Sequence, residues 1–163
     1  MCNLYNIKAT RLEFNAYFQS VDDVRNELAV EKDYVAPGKP GYVVREREGQ
    51  RVLSVMRWGF PLNGKPVTNV RKYASPFWKS ALANPARRCL VPVTEFQEWS
   101  VEPKPDTGRK KPFWFSLRSQ PIFAFAGVWR PTEGYPVYSF LTCGYEGDPA
   151  HHVSVRSIRR PVL

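Results

Sequence analysis

Three short stretches of this chain hold residue types that could do chemistry together. The first is Met1-Cys2. Loss of Met1 would leave Cys2 at the amino terminus, with an amine and a thiol on adjacent carbons. An α-amine titrates at roughly 7.7–8.0, so a useful neutral fraction exists near pH 7. Such an amine can attack an aldehyde to form an imine, which the thiol can close into a five-membered thiazolidine. The same residue can serve as an N-terminal nucleophile. The ordinary alternative is a terminal cysteine with no role, and position two alone favours it. The second stretch is Asn69-Val70-Arg71, after Trp58-Gly59-Phe60. An Asn amide orients a carbonyl or hydroxyl by donating and accepting at once. An Arg two residues on grips a phosphate through its planar fork, and on a strand the two share a face. The alternative is a loop Asn and a solvated Arg. The third is Thr94-Glu95-Phe96-Gln97-Glu98-Trp99, which follows an apolar run. Strand alternation puts Phe96 and Glu98 on one face, with Glu95, Gln97 and Trp99 on the other. A carboxyl beside aromatics has a raised pKa, which suits acid–base work. Glu98, at the end of the apolar run, is the best candidate; a solvated carboxylate is the alternative. His151-His152 and Cys143 fit no zinc spacing, so no metal and no cofactor are expected.

The elements that must position these residues are short. The 163 residues suit one domain over 1–163, with hydrophobic residues at 43% and charged residues at 24%. Fifteen prolines and 14% aromatics favour many short strands over long helices. Strands are expected at Leu4–Ile7, Gly41–Arg45, Arg51–Met56, Cys89–Val93, Pro112–Leu117, Ile122–Trp129 and Val137–Cys143. A hairpin loop is expected at Glu46–Gln50. A helix should start at Ser20, with Val21, Val24 and Leu28 on one face, and another should run from Phe77 to Asn84 through Ser75-Pro76. Trp58-Gly59-Phe60-Pro61 reads as entry into a loop, and Pro103–Lys111 as an exposed loop. The fold class is α+β: mostly antiparallel sheet curled toward a barrel, with a few short peripheral helices. Twenty-four Lys plus Arg against 15 Asp plus Glu give a net charge of +9, so nucleic acid is the leading class of partner. Three cysteines, Cys2, Cys89 and Cys143, cannot all pair, and no basic-then-apolar leader opens the chain. A reducing, cytoplasmic setting without membrane contact is expected.

Taken jointly, these stretches resemble the SRAP family, the SOS response-associated peptidase domain. The likeness runs through Met1-Cys2, Ala36-Pro37, Met56-Arg57-Trp58-Gly59-Phe60-Pro61, Asn69-Val70-Arg71, and Arg88-Cys89-Leu90-Val91-Pro92 to Phe96-Gln97-Glu98-Trp99. It continues in Pro112-Phe113-Trp114 and Phe123-Ala124-Phe125-Ala126-Gly127-Val128-Trp129. The resemblance implies a monomer that binds single-stranded DNA and crosslinks to abasic sites. Cys2, freed of Met1 by an autopeptidase step, would form the thiazolidine with the ring-opened sugar. Asn69 would position the sugar and Glu98 would move protons. Arg71 would hold a flanking phosphate, and Trp58 and Pro37 would wedge or stack against neighbouring bases. Strand cleavage by β-elimination would be a secondary activity. A binding module of the same fold with impaired catalysis is the alternative.

Three departures stand against that pattern. Asn3-Leu4 replaces the family's Gly-Arg, and Tyr73 stands where an acid usually follows the Arg. The family's catalytic His falls at Arg156 or Ser157, neither of which shuttles protons near neutral pH. The end, about 150–163, is therefore expected to be shortened or divergent. Truncation, recruitment of His151 or His152, and loss of only the His-dependent steps are the competing explanations, and recruitment is the least favoured of them.

Overall fold

The computed structural model describes residues 2–23 and 28–142. Its frame is a curled sheet built on one long hairpin. β4 (Pro40–Arg47) and β5 (Gln50–Trp58) pair antiparallel along their full length. Only Glu48 and Gly49 turn, both at positive φ (54° and 78°). Two such residues match the right-handed strand twist, so the expected five-residue loop shrinks to two.

β9 (Arg88–Val93) joins β4, β12 (Phe123–Arg130) joins β9, and β13 (Val137–Leu141) joins β12, all antiparallel. β13 then pairs parallel with β5, Val137 opposite Arg57 and Tyr138 opposite Trp58. That contact closes five strands into a barrel. The core packed on both faces of this sheet includes Val43, Leu53, Val55, Met56, Trp58, Val91, Val93 and Phe140, all buried. β2 (Val21–Asp22) adds to β5 and β8 (Asn69–Val70) adds to β13, each parallel.

A second, four-stranded sheet packs into the same core as the barrel. In it β1 (Tyr5–Asn6) lies between β3 (Tyr34–Val35) and β10 (Glu95–Pro103), and β10 pairs with β11 (Lys110–Phe115). Tyr5 carries the junction. It is fully buried, edge-on to Trp58 at 5.1 Å and to Phe140 at 6.1 Å. Its hydroxyl shares a short hydrogen bond with that of Tyr138. A Cβ on Gly41 would collide with both hydroxyls, so only glycine fits there. The architecture is α+β and mostly β, as expected.

Two local expectations are corrected. No helix starts at Ser20; the helix is α1 (Arg11–Phe18), which begins nine residues earlier and ends before Ser20. Thr10 caps it in a reciprocal box with Glu13, and Phe14 and Phe18 bury its inner face. Val21-Asp22 is strand, and Asp23 turns inward to meet Arg45 at 3.0 Å, Arg47 at 2.8 Å and the Ser54 hydroxyl at 2.7 Å. Val24, on the expected helical face, lies outside the described residues. Nor does the chain become loop after Trp58. Gly59, at φ 114°, bends it into a small hairpin of β6 (Phe60–Leu62) and β7 (Lys65–Val67). The second expected helix is present as α2 (Pro76–Ala83), with Ser75 as its cap.

Candidate functional site

Antiparallel pairing of β1 with β10 decides where the amino terminus lies. Tyr5 stands opposite Phe96 and Asn6 opposite Glu95. Lys8 forms an ion pair with Glu95 at 2.8 Å, and the Asn6 amide donates to the same carboxylate at 2.9 Å. Those partners hold the Glu95 carboxyl below its ordinary pKa, the Lys8 bond first. Upstream, the Gln97 N–H donates to the Leu4 carbonyl at 2.9 Å, so the extended chain keeps running along β10 toward Glu98.

Cys2 therefore lies between two elements. On the β10 side its buried thiol donates to the Leu4 carbonyl at 3.3 Å. The thiol pKa is pushed up to about 12, by burial first and with a smaller push from the Glu98 carboxylate, against the opposing pull of the Leu4 and Gln97 backbone groups. On the β8 side the Asn69 amide donates to the Cys2 carbonyl at 3.2 Å and to the Thr68 hydroxyl at 2.8 Å. With both N–H groups engaged, the amide is fixed in one orientation. Its Oδ1 is buried and accepts no hydrogen bond. An orphaned buried acceptor costs about 1–3 kcal/mol, so a donor placed there is bound favourably. An amine or a hydroxyl beside Cys2 is such a donor.

Cys2, Asn69 and Glu98, distant in sequence, thus converge at one end of the barrel. The other expected contacts do not all join them. Arg71 is exposed, one residue beyond the end of β8, so the same-face argument does not extend to it. Pro37 is exposed at the tip of a turn closed by Lys39 N–H to Ala36 O at 3.0 Å, with Gly38 at φ 78°. Trp58 is corrected outright. It has no exposed surface, stacks on Phe140 at 5.2 Å, and donates its indole N–H to the Thr68 carbonyl at 3.1 Å. No base can reach its face; it supports Asn69 from beneath. The barrel closure places it there, because Trp58 pairs with Tyr138 on the closing strand.

Thr68, which orients the Asn69 amide, was not among the expected site residues. Its only signal is adjacency to Asn69. Arg156, Ser157, His151, His152 and Cys143 lie outside the described residues. Among the described residues no three His, Cys, Asp or Glu side chains group as a metal site would require, and no helix is long and apolar enough to cross a membrane.

Comparison with known proteins identifies the family. Residues 1–152 match the family model "SOS response associated peptidase (SRAP)". Abasic site processing protein YoaM of Bacillus subtilis (strain 168) is 36% identical over 148 residues, covering 75% of this chain and 62% of its own. Abasic site processing protein YoqW of the same strain is 38% identical over 119 residues, covering 64% of this chain and 50% of its own. The chain thus spans less than two thirds of the length of these curated relatives, 62% of one and 50% of the other. A Bordetella bronchiseptica crystal structure superposes with a TM-score of 0.69 at 21% identity, covering 91% of this chain and 75% of that one. A Bacteroides thetaiotaomicron structure gives 0.66 at 19% identity, with 87% and 68% covered, so both bear on the fold alone. With the family model matched over nearly its whole length, the chain belongs to the SOS response associated peptidase (SRAP) family.

Proposed function

We propose that this protein binds single-stranded DNA and captures abasic sites covalently through Cys2. The observation that carries the reading is the meeting of Cys2, Asn69 and Glu98, with the Asn69 Oδ1 acceptor left open beside the cysteine backbone. The names of the curated relatives, abasic site processing proteins, support it.

The chemistry runs in three steps. Hydrolysis of the Met1–Cys2 peptide bond, an autocatalytic step, consumes one water and frees the Cys2 amine. That amine attacks the ring-opened aldehyde of the abasic sugar and releases one water as the imine forms. The Cys2 thiol then adds across the C=N bond, forming C–S while its proton ends on nitrogen; no atom is lost. Asn69 Oδ1 accepts from the amine or the sugar hydroxyl and holds the reacting pair in line. Glu98 beside the thiol carries protons during ring opening and imine formation. Arg71 grips a flanking phosphate. While the imine lasts, removal of the adjacent sugar proton expels the 3′ phosphate, which makes strand cleavage a secondary activity.

The test is incubation of the purified protein with single-stranded DNA holding one abasic site. A heat-stable adduct that disappears in Cys2→Ala is expected, with intact mass reporting the loss of Met1. Salt-sensitive binding without an adduct would sink the covalent reading. That second reading, a binding module of the same fold, draws on the burial of the thiol and its high pKa, which keep it neutral.

A further inference from the structure

The correction at Trp58 removes the indole that was expected to stack against a base. The hairpin that carries Glu98 offers a replacement. Glu98 stands directly opposite Phe113 across β10 and β11, so the two side chains share one face. Two pairs further in, on the same face, Phe96 stands opposite Phe115, their rings stacked at 5.4 Å, and Phe96 packs on the barrel core. The face therefore runs outward from the core, past the site, and ends at Phe113, which is 42% exposed.

A single exposed phenylalanine is ordinary on a protein surface. Two observations set this one apart. It stands opposite Glu98, the carboxylate whose charge acts on the Cys2 thiol. The Lys111 ammonium, two residues away on the same face, lies 5.1 Å above its ring. The turn behind it is basic: from Glu102 to Lys111 four cations (Lys104, Arg109, Lys110, Lys111) face two acids. An aromatic face with an ammonium over it suits one ligand chemistry, a nucleobase stacked on the ring with its phosphate on the cation.

We infer that Phe113 stacks the base next to the lesion on the Glu98 side of the site, and that Lys111 holds that nucleotide's phosphate. The inference rests on the DNA-binding reading above and names the contact it needs. Phe113 acts on the flanking nucleotide and not on the reacting atoms, so it determines placement of the strand.

The experiment is fluorescence anisotropy with labelled single strands carrying a central tetrahydrofuran, an abasic analogue that cannot form an imine. Phe113→Ala should weaken binding roughly 5- to 150-fold, the range for one lost base stack. Phe113→Trp should retain affinity. When both flanking nucleosides are also replaced by tetrahydrofuran, the Ala penalty should shrink to within about twofold, since no base remains to stack. Lys111→Gln should lower the salt slope by about 0.7 on either strand. An Ala penalty of the same size on both strands would mean a structural role and overturn the inference. So would no penalty on either, or no binding by the wild-type protein. Since tetrahydrofuran cannot crosslink, a wild-type protein that binds but captures no true abasic site would sink the Cys2 reaction alone.

Discussion

Trp58→Phe separates support from beneath the site from contact with DNA. The substitution keeps a ring against Tyr5 and Phe140 but removes the indole N–H that reaches the Thr68 carbonyl at 3.1 Å. It also deletes two ring carbons from a residue with no exposed surface. Two buried carbons are worth about 1.6 kcal/mol at about 0.8 each. The orphaned carbonyl would cost about 1–3 kcal/mol. The Phe140 N–H still approaches it at 3.3 Å, so the low end, about 1 kcal/mol, applies. The expected loss is therefore about 2.5 kcal/mol, read as a lower midpoint in urea unfolding with an unchanged slope. Affinity for undamaged single strands should stay within about twofold, because Trp58 meets no solvent. Capture of abasic DNA should slow, because the loosened Thr68 no longer pins the Asn69 amide. A loss below about 0.5 kcal/mol together with a fivefold or greater fall in DNA affinity would refute the argument and return Trp58 to the surface.

Two further outcomes follow from the charged and titrating groups. Asp23→Asn leaves Arg45 and Arg47 without their shared carboxylate in a site where their side chains are only 16% and 23% exposed. Breaking a buried pair costs about 3–5 kcal/mol, and partial exposure puts the expected loss near the low end, about 3 kcal/mol by urea unfolding; a loss under about 1 kcal/mol would show the cluster to be solvated. Burial favours the protonated Cys2 thiol, so its thiolate is scarce at neutral pH and grows only as pH climbs toward about 12. Iodoacetamide labelling of Cys2 in chains that retain Met1, followed by peptide mass mapping, should keep rising tenfold per pH unit past pH 9. In urea it should level off near the ordinary thiol pKa of about 8.5, and a plateau there in the native protein would contradict the burial.

What was legible in the sequence follows from how local each signal is. Gly41–Arg45 and Arg51–Met56 read as strands from their own residues, and α2 reads from Ser75-Pro76. Ser20 misleads because its third following residue is Asp23, not the Glu or Gln of a capping box; Thr10 has Glu13 at that place. Asp23's partners sit on β4 and β5, beyond any local window. Cys2, Asn69 and Glu98 stand out by residue type, but their meeting depends on the β1–β10 register and on β8 joining the closing strand. Trp58 sits on a strand buried on both faces, which no alternation reveals. Phe113 was hidden by a bulge. Between Trp99 and Pro103 four steps along β10 match only two along β11, from Pro112 to Lys110. Counting back evenly from the exposed loop therefore pairs Glu98 with the wrong residue.

The same register argument yields the sharpest test of the amino terminus. Tyr5 is locked by Phe96, Val35, Trp58 and the Tyr138 hydroxyl, so an Ala inserted between Asn3 and Leu4 cannot shift β1 without emptying the core. The added residue must be absorbed upstream. One extra residue in extended chain advances Cys2 by about 3.3 Å and turns its side chain to the opposite face. The thiol then leaves the Leu4 carbonyl and Glu98, and the Cys2 carbonyl leaves the Asn69 amide. Two inserted alanines restore the face but displace Cys2 by about 6.6 Å. On the proposed function both insertions should lose covalent capture by at least tenfold, while urea midpoints and affinity for tetrahydrofuran strands stay near wild type. A single insertion that still crosslinks at the wild-type rate would show that Cys2 reacts from a free end. Asn69 and Glu98 would then be no part of the chemistry.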